Sequence, residues 1–219
     1  AFDAERTTSQ IRHLLPVGSP ALSLDRLRLP EAMLTNRRRY LDPLNFATNF
    51  AFFRDEGGLH TLLTTANYWS GYGGREIAVW CRLFAADGQA LATWQEPVRP
   101  DGASLVIDSQ AVRQRFGLGP FTGQLFLHVI GAVGHDVVKY ALDVTSDDGR
   151  TLSSSHDANA WPADRYAGLP APTAAETVIL WLQNSHPAAI PKGAIGLNVM
   201  GESRVVCLDK AIAPFASLA

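Results

Sequence analysis

LHTLLTTANYWSGYGGREIAVWCRLFAADGQALATW, residues 59–94, is answered later in the chain by ETVILWLQNSHPAAIPKGAIGLNVMGESRVVCL, residues 176–208. Each copy opens with a short apolar stretch that runs to an asparagine: Thr61-Leu62-Leu63 to Asn67, and Val178-Ile179-Leu180 to Asn184. A loop bearing Gly or Pro comes next, then an alternating strand. Ile77, Val79, Cys81 and Leu83 share one face in the first copy, and Ile195, Leu197 and Val199 in the second. The turn is Asp87-Gly88 in one and Gly201-Glu202-Ser203 in the other. Alternation on both sides of an Asp-Gly pair is the strongest short-range hairpin signal, because Gly accepts the positive φ that such turns need.

Outward from this stretch the chain stays β-rich. Phe46–Phe53 alternates, with Phe46, Phe50 and Phe52 on one face, a row read as core. Leu105-Val106-Ile107 gives a strand, and Asp108 or Ser109 caps a short helix, AVRQRF, that Gly117 ends. Further strands are expected over Gln124–Ile130, Val137–Val144 and Thr151–Ser155. Short strands separated by Gly, Pro and Asp-Gly turns point to an all-β protein, an antiparallel β-sandwich with a partial second repeat. The expected organisation is an extended arm over 1–45, a sandwich domain over 46–161, a Pro/Ala-rich linker over 162–175 and the partial second repeat over 176–219. In the arm, Asp3 caps a short helix through Ile11 to Leu15. Pro16 stops that helix, and Pro20 and Pro30 prevent a long one after it. The arm carries Leu22, Leu24, Leu27 and Leu29, so it is expected to wrap on a surface, its own or a neighbour's.

Ser104-Leu105 in the first copy matches Ser217-Leu218 in the second, so the second copy stops within an expected strand. Half a sandwich leaves a face and edges uncovered. Either the natural protein continues beyond Ala219, or the partial copy pairs with the first domain or with another chain.

Composition narrows the function classes. The 219 residues are 47% apolar and 18% charged, with a formal net charge of -2, a balance suited to a folded domain and without the basic footprint of a nucleic-acid binder. No apolar run approaches the length of a membrane span. A chain that starts at Ala1 without Met fits a processed, exported protein as well as a cytoplasmic one. The two cysteines, Cys81 and Cys207, are too few for a disulfide framework or a zinc site of their own, and Cys81 reads as a small buried hydrophobe. None of the six histidines falls in HxH, HxxxH or HExxH spacing, so no metal or cofactor site is expected. The HD pairs His135-Asp136 and His156-Asp157 are weak acid–base signals, and His128 alternates with Phe126 and Ile130 as a packed residue. No GxSxG elbow occurs, and Gly71-Tyr72-Gly73-Gly74 leads into a strand and not into a phosphate-binding helix.

The aromatic and polar residues Asn67, Tyr68, Trp69 and Tyr72 in the first-copy loop, with His156, Asp157, Asn159 and Trp161 at the end of the first domain, form the candidate ligand-binding cluster. Rings beside Asn and Asp suit a sugar or a peptide, since a ring offers apolar area and the amide or carboxylate a directional bond. The competing reading is that Trp69 and Trp161 plug the ends of the core.

Glu176-Thr177-Val178 to Leu182 and Asn184, the approach Ile212-Ala213-Pro214, and YALDVTSDDGRTLSSSHDANAWP over residues 140–162 resemble the sensory rhodopsin transducer family. The resemblance implies a small β-sandwich that oligomerises and binds partners without established catalysis; the arm before the first copy departs from that pattern. The expected function is therefore non-catalytic binding or assembly, with a protein partner, a homo-oligomer or a carbohydrate-like ligand held by loops and edges. The alternative is an enzyme, or an accessory subunit of one, whose site is assembled from scattered loop residues.

Overall fold

Alternating apolar residues, broken by turns that only Gly accommodates, give a mostly antiparallel β structure. The computed structural model describes residues 46–99, 104–132, 138–157, 173–199 and 203–219. Its first strands are β1 (Phe46–Glu56), β2 (Leu59–Ala66), β3 (Ala78–Ala85) and β4 (Ala90–Pro97), with the single-turn helix α1 (Tyr68–Gly71) after β2. Then come β5 (Ser104–Asp108), helix α2 (Ser109–Phe116), β6 (Phe121–Ile130), β7 (Tyr140–Ser146) and β8 (Leu152–Asp157). Four two-residue strands close the chain: β9 (Leu182–Gln183), β10 (Gly196–Leu197), β11 (Val206–Cys207) and β12 (Ser217–Leu218). The expected arm over 1–45 and nearly all of the linker over 162–175 lie outside the described residues. No helix among the described residues is long and apolar enough to cross a membrane.

The hairpin falls where the Asp-Gly pair puts it. Gly88 takes φ 88°, Asp87 Oδ1 accepts from Gln89 N at 2.9 Å, and β3 runs antiparallel to β4 with Cys81 opposite Trp94. Ile77, Val79, Cys81 and Leu83 are all buried. The helix also obeys its caps: Asp108 accepts from Gln110 N, and Gly117 closes α2 in the left-handed region.

The main sheet runs in the order β4-β3-β6-β1-β2-β7-β8, with β5 also on β2. It is open, with β4 and the exposed, serine-rich β8 as its ends. It forks at β1 and β2, which pair only through Asp55–His60 and Glu56–Leu59. Beyond that corner β1 stays with β6 along its whole length, while β2 pairs with β5 and β7. Both arms of the fork feed one core cluster, including Ala51, Phe53, Leu63, Val79, Ile107, Leu125, Leu127 and Leu142. Each large side chain buried there contributes about 1.5–3 kcal/mol of apolar transfer.

Of the aromatic row on β1, Phe50 and Phe52 are not among the buried members of this cluster, and Phe52 packs against it. Ala47, Asn49, Ala51, Phe53 and Asp55 point inward, and Phe50 and Phe52 lie half-buried on the opposite face. That face is covered by the end of the chain. Phe50 lies against Phe126 at 4.8 Å and Phe215 at 6.2 Å, Phe215 stacks on Phe84 at 4.6 Å, and Phe52 meets Trp181 at 5.7 Å. The five consecutive buried residues Phe121–Leu125 of β6 have the same cause, since Gln124 Nε2 donates to Asn184 O at 2.9 Å. The turn at Gly88 also touches this segment: a Cβ there would collide with the carbonyl of Pro214.

Candidate functional site

The loop cluster begins at the end of β2. Asn67 caps α1, accepting from Ser70 N at 3.3 Å, and its amide donates to Arg99 O at 3.1 Å. The Tyr68 hydroxyl accepts from Lys139 N at 3.0 Å. Burial raises its phenol pKa, and the Lys139 hydrogen bond opposes that rise. Trp69 is fully buried, with its ring 4.3 Å from that of Tyr68, so it plugs the core and offers no face to a ligand. Tyr72 is 50% exposed. His156, exposed, pairs through its backbone with Ala141, and Asp157 with Tyr140, on a strand that β7 separates from β2. Asn159 and Trp161 lie outside the described residues. The cluster therefore divides into an α1 turn, which contains Asn67, Tyr68, Trp69 and Tyr72, and a β8 end.

A second surface, outside that cluster, lies in the C-terminal segment. Its backbone makes two ribbons, β9 with β12 and β10 with β11, tied by an antiparallel bridge between Ile190 and Ile212. Asn184 is the hub. It is fully buried, donates from Nδ2 to the carbonyls of Ala188 at 2.8 Å and Ala213 at 3.0 Å, and accepts from His186 N at 3.1 Å. The period of two then divides the ribbon. Trp181 and Gln183 turn to the main sheet, where Gln183 Nε2 donates to Gly123 O at 3.1 Å, while Leu180 and Leu182 turn away from it. They line an open cavity of about 470 Å³ with Val178, Ile179, Leu197, Leu208 and Leu218. Among the described residues no charged side chain lines it. Ile179 is 64% exposed and Val206 57%.

Sequence reasoning left these residues out of its candidate cluster, although half a sandwich is expected to leave an apolar face uncovered. The segment covers its Trp181 side against the main sheet and leaves the Leu180 side open.

Titratable groups elsewhere form local pairs. Arg113 Nη1 meets the buried Asp55 at 3.2 Å, and His60 Nδ1 meets Asp147 at 3.1 Å. Among the described residues no group of three His, Cys, Asp or Glu side chains is placed to hold a metal ion. Burial first, and Glu96 second, push the Cys81 thiol pKa well up, so it stays protonated and inert; Cys207 is exposed. Comparison of the chain with protein-family models, curated proteins and solved structures finds no match.

Proposed function

We propose that the forked sheet is a β-sandwich and that residues 176–219 are a partial second copy of its first half. Two hydrogen bonds across the fork support the two-layer reading: Asn49 Nδ2 to Val138 O at 2.8 Å and Tyr140 Oη to Phe50 O at 2.7 Å. Three matches in register support the repeat. Thr65 and Ala66, just before Asn67, pair with Leu105 and Ser104; Leu182 and Gln183, just before Asn184, pair with Leu218 and Ser217. Val98 N donates to Ile77 O, and Leu208 N donates to Ile195 O. The Asn67 amide donates to Arg99 O, five residues before Ser104, and the Asn184 amide donates to Ile212 O, five residues before Ser217.

On this architecture the chain is a non-catalytic binding or assembly protein whose partner is another protein. The observation that carries the reading is the open apolar face of the second copy. Counting from the two asparagines, Leu180 and Leu182 correspond to Leu63 and Thr65, which are buried in the first copy. An uncovered apolar face of this kind marks an interaction surface. Native mass spectrometry of the protein purified from its source tests it. The expected result is an assembly with a protein subunit that Leu182→Glu abolishes without lowering the melting temperature by more than a few degrees. A bare monomer, or an assembly that Leu182→Glu leaves intact, contradicts the reading.

A further inference from the structure

The first copy carries its own record of what covers this face. There β7 lies antiparallel along β2, with Val144 opposite Thr61, Asp143 opposite Leu62, Leu142 opposite Leu63 and Ala141 opposite Thr64. The same count from the asparagines places Val178, Ile179, Leu180 and Trp181 at those four β2 positions. In the second copy these residues belong to no strand ladder among the described residues. Unpaired backbone beside an exposed apolar row is the template to which strands add.

We infer that residues 178–181 accept one antiparallel strand donated by a partner protein, in the register that β7 takes on β2. The inference rests on the binding reading above and specifies its mode. The donated strand carries a large apolar residue opposite Leu180, as Leu142 stands opposite Leu63, and an apolar residue opposite Val178, as Val144 stands opposite Thr61. These two side chains enter the cavity beside Leu182, Leu197 and Leu218. The intervening positions tolerate polar residues, since the first copy carries Asp143 at one of them. Among the described residues the lining side chains carry no charge, so a charged residue opposite Leu180 is rejected by the cost of desolvating it.

The probe is a synthetic peptide with the sequence of residues 138–146, VKYALDVTS, added to the full chain and monitored by amide hydrogen exchange. At saturation the amides within 178–181 slow by about tenfold or more, because strand addition places them in a hydrogen-bonded ladder. The same peptide carrying Leu142→Asp gives no slowing there. Equal effects of the two peptides, protection confined to other strands, or amides already slow in the free chain through self-association all overturn the inference. Native mass spectrometry separates the two levels. A protein bound at this face without peptide protection removes the strand mode and keeps the binding reading; no bound protein and no protection remove both.

Discussion

On the proposed repeat, the first-copy strands β2, β3, β4 and β5 and the C-terminal ribbons β9–β12 and β10–β11 begin from similar sequence and end in opposite conditions. In the first, an Asn-terminated strand pairs with β5, and the strands β1, β6 and β7 complete a dry core around Leu63 and Val79. In the second, the matching strand pairs with β12, and the apolar row at Val178, Leu180 and Leu182 opens on a cavity. The difference lies in what flanks each copy. Local sequence sets the strand, the turn and the asparagine clasp; sealing a face needs strands from elsewhere in the chain or from a partner. The C-terminal ribbon is nevertheless held in place, because its other face carries Trp181 and Gln183 onto β1 and β6 and Phe215 onto Phe50 and Phe84.

The sharpest way to break the first region is a charge in its core. Val79 is fully buried, and Val79→Asp strands a carboxylate without a partner, so it destabilises by about 4 kcal/mol or prevents folding. A urea unfolding midpoint close to that of the parent protein would mean that β3 does not face the core.

The asparagines that follow β2 and β9 compare the two regions directly. Asn184 is fully buried and bonded to several backbone groups, whereas Asn67 lies at the surface end of β2. Asn184→Ala removes a fully buried side chain together with its bonds to Ala188 O, Ala213 O and His186 N and costs about 2–3 kcal/mol, while Asn67→Ala loses a helix cap and costs about 1 kcal/mol. Denaturant unfolding of the two variants reads the order, and a reversed order breaks the assignment of Asn184 as hub.

Gly88→Ala probes the joint between the regions. The side chain meets both a φ of 88° and the carbonyl of Pro214, so the turn and the C-terminal segment cannot both keep their places. A loss of about 1–2 kcal/mol is expected, with faster amide exchange around residues 213–217. Unchanged exchange there would separate the two regions.

The smallest effect is chemical. The Cys81 thiol is held above its ordinary pKa of 9.0 by burial. The folded form therefore keeps its proton where the unfolded form loses it. This contribution to stability is complete below pH 9.0 and is lost progressively as pH rises from there toward the raised folded value. Cys81→Ala flattens that alkaline slope. A thiol reagent should modify exposed Cys207 promptly and Cys81 only on unfolding; equal rates would break the burial assignment.

The elements legible in the sequence were those fixed by local chemistry. Asp87-Gly88 marked its hairpin, Asp108 and Gly117 marked the ends of α2, and the all-β class came from the alternation. The register of β1 was not legible, because Phe52 and Phe53 are adjacent and large, and only the tertiary cover by Trp181 and Phe215 decides which face each takes. The burial of Gln124 was not legible either, since it depends on a hydrogen bond to the backbone carbonyl of residue 184. In the candidate cluster, the cap at Asn67 and the burial of Trp69 arise from a single turn of helix, which the aromatic pattern alone did not distinguish from a ligand platform. The open face was half visible, as apolar residues without a cover, but its depth depends on the pairing of β9 with β12, which joins residues more than thirty positions apart.

Leu63 and Leu180, matched by the proposed repeat, differ in surroundings: Leu63 is sealed in the core and Leu180 lies on the cavity wall. The direct measurement is the unfolding free energy of Leu63→Asp and of Leu180→Asp in the chain alone. A face left open at Leu180 means a loss of about 4 kcal/mol for the first and no more than about 1 kcal/mol for the second. Equal losses at the two positions would contradict it, because Leu180 would then already be sealed within this chain and no face would be left for a partner.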